Sequence, residues 1–202
     1  MTDEYIKFNE TDEIALKQCN RIEKVRRRLH CLGLLGSHCN GRSYGNVSNR
    51  YKKKKNSFVI TATQTGDYPK LSTKYYSLVK KIDFKKKVTY AVGPSKPSCQ
   101  SGLHWSVYEM NPKINAVIHI YSEKLVEYML ENDYLCIPNT DYHTFYSERI
   151  LKDVKELYKN VDPFLNNIFL VTGELEGVVI FGKTLADAEK SLYSIINKVL
   201  KK

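Results

Sequence analysis

The chain has 202 residues, enough for one domain that buries a core without disulfides or a structural metal. With 42% hydrophobic residues, 15 Tyr and 7 Phe it is no disordered segment, and its five cysteines (Cys19, Cys31, Cys39, Cys99, Cys136) are odd in number and lack a CxxC pair, which argues against a disulfide framework or a cysteine zinc cluster. Lys and Arg number 32 against 22 Asp and Glu, a formal charge of +10 that could draw phosphate, nucleic acid or acidic lipid, but the basic residues are scattered over several segments and read first as a solvated surface.

Asp12 and Glu13 open a helical pattern capped by Thr11 or Asn9. Ile22, Val25, Leu29 and Leu32 form its inward stripe, Arg21, Lys24 and Arg26 to Arg28 the solvated face, and Gly33 and Gly36 end it. Residues 40–49 are rich in Gly, Ser and Asn and read as a loop around Gly45-Asn46. The lysine run 52–55 reads as a hairpin tip, because residues 58–61 have strand character. Thr65-Gly66 marks a turn, and residues 78–83 and 87–92 are short strands joined by a charged turn. Residues 95–99 lead into a helix with Leu103, Val107 and Met110 on one face, stopped by Asn111-Pro112. A buried strand follows at 116–121, then a helix capped by Ser122 and running to about residue 132. Residues 147–160 form another helix with Ile150, Val154 and Leu157 inward, and 168–172 and 178–181 are strands. Thr184 and Asp187 make a capping-box signature for a last helix packed on Leu185, Ala188, Leu192, Ile195 and Val199.

This order predicts an α/β fold of three α/β/α layers, one domain over 1–202, with a central mixed, mostly antiparallel sheet flanked by helices. No apolar run is long enough to span a bilayer, and the polar Met-Thr-Asp-Glu start lacks a secretory pattern, so the expected home is cytoplasmic.

Three turns carry the chemistry: Tyr44 to Ser48, Thr63 to Gly66, and Lys96 to Ser101. Each puts small side chains and backbone N–H groups at the end of an element, and the last opens a helix, where an anion is favoured. Together they could cradle a phosphate; singly each is an ordinary turn. On the strand 116–121, His119 and Tyr121 leave the same face and could grip one metal, although a strand histidine is more often a hydrogen-bonded core residue. Cys99 sits near a helix N-terminus, where a thiol pKa can fall, but His104 is five residues on and poorly placed to activate it.

These segments, in this order, resemble the class II aldolase/adducin family. The resemblance rests on Gly45-Asn46-Val47-Ser48, Ile60-Thr61 with Thr65-Gly66, Lys96-Pro97-Ser98-Cys99-Gln100 with His104, Asn115 to Ser122, and Gly182-Lys183-Thr184-Leu185, and it covers about residues 15–200. It implies phosphate contacts at Asn46, Thr65, Gly66 and Ser98, with Cys99 in place of a second serine. It implies a proton donor at Tyr142, a homotetramer, and a zinc ion on three histidines.

The departures from the family pattern are specific. His119 is kept, Tyr121 stands where a second metal histidine is expected, and Glu174, or in another alignment Glu176, where the third is. An N,O,O set suits Zn²⁺ poorly and turns preference toward Mn²⁺ or Mg²⁺, weakly bound if at all. Gln100 occupies the place of the family's carboxylate base and cannot take a proton. The sequence therefore points to a non-catalytic or repurposed module that binds a small phosphorylated ligand, such as a sugar phosphate, or serves as an interaction module, with an active metal-dependent aldolase or epimerase using the altered ligands as the alternative. A nucleic-acid or acidic-surface binder using the lysines comes third, since no stacking aromatics in a recognised motif accompany them.

Overall fold

Apolar runs become strands and three-to-four-residue stripes become helices in a computed structural model that describes residues 6–10, 16–51, 56–140, 146–173 and 176–201. In chain order these residues form β1 (Ile6–Glu10), α1 (Leu16–Cys31), β2 (Gly36–Ser37), β3 (Ser43–Tyr44), β4 (Asn46–Arg50), β5 (Phe58–Thr61), β6 (Tyr76–Asp83), β7 (Val88–Gly93), α2 (Ser101–Met110), β8 (Ala116–Ile120), α3 (Glu123–Glu131), β9 (Cys136–Thr140), α4 (Glu148–Leu157), β10 (Ile168–Gly173), β11 (Gly177–Gly182) and α5 (Leu185–Val199).

Among the described residues nine strands make one sheet in the order β1-β7-β6-β5-β4-β8-β11-β10-β9, and β2 pairs with β3 as a separate hairpin. The two edge pairings, β1 with β7 and β9 with β10, are parallel; the inner ones are antiparallel. The sheet is thus mixed and mostly antiparallel, as expected.

Strand periodicity divides the core in two. Ala116, Ile118 and Ile120 of β8 and Val178 and Ile180 of β11 pack with Ile22, Val25 and Leu29 of α1, Met129 of α3 and Leu192 of α5. Val117, Val179 and Phe181 point the other way, onto Leu103 and Val107 of α2 and Ile150 and Val154 of α4. Burial on both faces explains why these strands read as unbroken apolar runs. Ser122 and Thr184 cap α3 and α5 by accepting from the N–H groups of Leu125 and Asp187.

Several expectations are corrected. Arg26 is not on a solvated face: it is 1% exposed, its Nε donating to Glu23 at 2.9 Å and its Nη2 to the Tyr68 carbonyl at 2.6 Å. Glu23 also accepts from the Leu71 N–H (2.9 Å) and the Tyr76 hydroxyl (2.8 Å), so a charge pair ties α1 to β6. Leu32 lies beyond the end of α1 and is exposed, while Leu34 and Leu35 enter the core instead. The loop at 40–49 is mostly strand: Tyr44 pairs with Gly36 and Asn46 with His119. Asn9 belongs to β1 and caps no helix, whereas Thr11, Asp12 and Glu13 lie outside the described residues, as does the lysine run 52–55. Helix α2 is buried from Ser101 to Tyr108 and not on one face only. The sequence reading passed over β1 and β9. Both are short edge strands, and β9 carries Pro138, a residue that edge strands tolerate.

Candidate functional site

His119 shares the parity of Val117 on β8, so its ring faces α2. Gln100 immediately precedes α2, and Asn46 opens β4 directly opposite His119. Gly45, at φ +80°, turns the chain into β4; a side chain there would strike Leu35. These placements converge on one atom. Gln100 Oε1 accepts from Asn46 Nδ2 and lies 2.7 Å from His119 Nδ1. An amide oxygen only accepts, so Nδ1 carries the imidazole proton and Nε2 presents its lone pair. That Nε2 is buried and has no partner among the described residues, and the same is true of Asn46 Oδ1. Across the sheet Gly177 leaves room for it: an added Cβ would run into Nε2 and lie 2.6 Å from the Ile120 carbonyl. Burial pushes the His119 pKa down to about 4, which keeps the ring neutral.

The phosphate-type turns meet at the same place. The Ser98 N–H donates to the Thr61 carbonyl (3.1 Å) and the Thr63 N–H to that of Lys96 (3.1 Å), stitching the two turns together. Arg42, Asn46, Thr65, Ser98, Cys99 and Gln100 are among the residues lining the resulting cup of about 30 Å³. A second cup of about 20 Å³ adjoins it, lined by His38, Arg42, Gln100, His119, Tyr121 and Glu176 among others. Two of the expected phosphate donors are already committed. Thr65 Oγ1 donates to the Ala62 carbonyl at 2.7 Å, and the Gly66 N–H donates to Ser43 Oγ at 2.6 Å. Cys99 is no activated thiol. Burial raises its pKa, outweighing the pull of the Arg42 charge and of nearby hydrogen bonds, in keeping with an inert packing thiol. Tyr121 keeps its phenol proton more firmly than usual, through burial first and then the charges of Glu176 and Glu123. His104 is fully buried; its Nδ1 is 2.7 Å from Ser48 Oγ, which also bonds Tyr108 at 2.8 Å. Tyr142 and Glu174 lie outside the described residues.

The β2–β3 hairpin brings residues that the sequence reading missed. His38 packs edge-on against Tyr121 with centroids 5.0 Å apart and leans on Tyr44 at 4.8 Å. Arg42 lines both cups and has no carboxylate partner among the described residues. The signal was present in Asn40-Gly41, a strong hairpin dipeptide, with Gly41 at φ +77°.

Among the described residues, the donors around His119 fit a divalent metal poorly. His119 Nε2 is a free nitrogen donor above Gly177, but its neighbour at the expected second position is a protonated phenol. No three His, Cys, Asp or Glu among the described residues stand close enough together to hold an ion.

A mixed, mostly antiparallel sheet between two helical layers is the fold of class II aldolase structures. Solved structures share it. YgbL from Klebsiella pneumoniae superposes with a TM-score of 0.67 at 18% identity, over 91% of this chain and 86% of its own. An L-fuculose 1-phosphate aldolase gives 0.67 at 14%, over 94% and 85%. A sugar-phosphate aldolase from Thermotoga maritima gives 0.64 at 19%, over 92% and 94%. Among curated proteins no sequence matches. The family model for the Class II Aldolase and Adducin N-terminal domain matches residues 30–197, and the chain belongs to that family.

Proposed function

We propose that this chain binds a small phosphorylated sugar or polyol on the class II aldolase scaffold without the family's metal and base chemistry. One observation carries the reading: the oxygen of Gln100 is occupied by His119 Nδ1–H and the Asn46 amide, in a neutral network where a proton acceptor would be needed for catalysis. The phosphate-type residues Asn46, Thr65, Ser98 and Cys99 still surround one cup next to it, which supports retained ligand binding. The resemblance implies a homotetramer, and we include it in the proposal, to be checked by light scattering on the eluted protein.

The second reading is an active lyase or epimerase on Mn²⁺, Mg²⁺ or Zn²⁺ held by His119, Tyr121 and Glu174. The unpartnered lone pair of His119 is what favours it. Elemental analysis of protein purified without chelator separates the two. The binding reading expects less than stoichiometric divalent metal, and zinc uptake only after Tyr121→His, Glu174→His and Gln100→Glu are combined. Stoichiometric metal in the natural chain, with cleavage of a sugar phosphate, would establish the second.

A further inference from the structure

We propose that Arg42, carried by the β2–β3 hairpin, grips the anionic group of the ligand while His119 Nε2 accepts a hydroxyl hydrogen from the same molecule. The inference rests on the binding reading above and names the residue that does the binding. The two cups share Arg42, Ser43, Gly45 and Gln100, so a ligand filling one borders the other. The unsatisfied groups define what that ligand must offer. His119 Nε2, on a residue 2% exposed, and Asn46 Oδ1, on one 5% exposed, are acceptors with no hydrogen to accept among the described residues. Each calls for a donor, and a buried acceptor left empty is costly. Arg42 is a half-buried cation with no acid to balance it among the described residues, and its charge is felt at the Cys99 sulfur across the cup. Two acceptors beside one cation describe the complement of a phosphorylated polyol: hydroxyl groups a few bonds from an anion.

The neutral donors that would otherwise hold a phosphate are diverted. Ser43, next to Arg42 on the hairpin, takes the Gly66 N–H, and the Thr65 hydroxyl is turned to Ala62. The hairpin thus removes one phosphate donor and supplies a stronger one, since a guanidinium offers charge-assisted, two-pronged bonds to phosphate. An ordinary solvated arginine would lie on the outer side of the turn; this one lines the site on both sides of Gln100. His38 and Tyr44, packed on Tyr121, hold the hairpin against the cup.

The test is calorimetric titration with glycerol 3-phosphate, and with glycerol as the uncharged control. The natural chain binds the phosphate and not glycerol. Arg42→Gln weakens binding about 10–100-fold, the loss expected for a charged hydrogen bond. Arg42→Lys recovers part of that, because the charge returns without the fork. The Arg42 side chain makes no hydrogen bond or ion pair to the rest of the described protein, so both variants keep the parent melting temperature. Binding by the natural chain with an unchanged Kd in Arg42→Gln overturns the role of Arg42 alone. No binding by the natural chain overturns both this inference and the binding reading.

Discussion

Gln100 sets the state of the site through one oxygen. Its replacement by alanine leaves two buried donors, His119 Nδ1–H and Asn46 Nδ2–H, without their acceptor. Gln100→Ala should therefore cost about 1–3 kcal/mol, read as a lower urea midpoint with an unchanged slope. Acid should act on the same residues. Burial pushes His119 down to about 4 and His104 well below 6.5, the neighbouring His119 charge adding to the latter. An unfolded chain binds these protons near pH 6.5 and the folded chain refuses them. Stability is then full above about pH 6.5 and falls as pH drops toward 4, by roughly 3 kcal/mol for His119 alone. Urea midpoints measured from pH 7.5 to 5 should decline over that window; a flat profile would mean that the two rings are not held neutral. The identities of His119, Gln100, Asn46, Ser98 and Cys99 were legible in the sequence because they stand in ordered motifs. Their commitments were not: that Gly66 gives its N–H to Ser43, or that burial raises the Cys99 thiol, depends on atoms brought together from distant segments.

At the scale of elements, the strong periodicities decided the outcome and the weak ones misled. The stripes of α4 and α5 and the apolar runs of β8, β10 and β11 appear where their patterns place them, because each buries a face that nothing else covers. The charged stripe of α1 misled because Arg26 finds Glu23 one turn back, and Glu23 also binds Tyr76 across to β6. Periodicity cannot see such a pair. Glu23→Ala leaves Arg26 charged and buried, its Nη1 already without a partner among the described residues, and should destabilise by about 3–5 kcal/mol in chemical denaturation. A loss below 1 kcal/mol would show that the pair is not buried in solution. The hairpin β2–β3 rests on the Gly66 turn so closely that a methyl group on Gly66 would run into the Gly36 carbonyl and lie 2.6 Å from that of Tyr44. Gly66→Ala should lift the hairpin, increase exchange of the residue-66 amide hydrogen, and reduce glycerol 3-phosphate affinity together with Arg42→Gln, with little change in global stability. Edge strands β1 and β9 were not legible, since polar alternation and a proline leave little signal in five residues each.

Across the whole molecule, fold and family agree: the sheet order, the two helical layers and the family match over residues 30–197 describe one scaffold. A shared scaffold does not settle the chemistry, which a few side chains at the site decide. The central claim is that this scaffold binds a phosphorylated ligand through a cation and a neutral histidine network and needs no metal to do so. Calorimetric titration of chelator-treated, metal-free protein with glycerol 3-phosphate, repeated with saturating Zn²⁺, tests that most directly. The account predicts saturable binding with the same Kd in both; binding that appears only with the metal, together with one bound Zn²⁺ per chain, would contradict it.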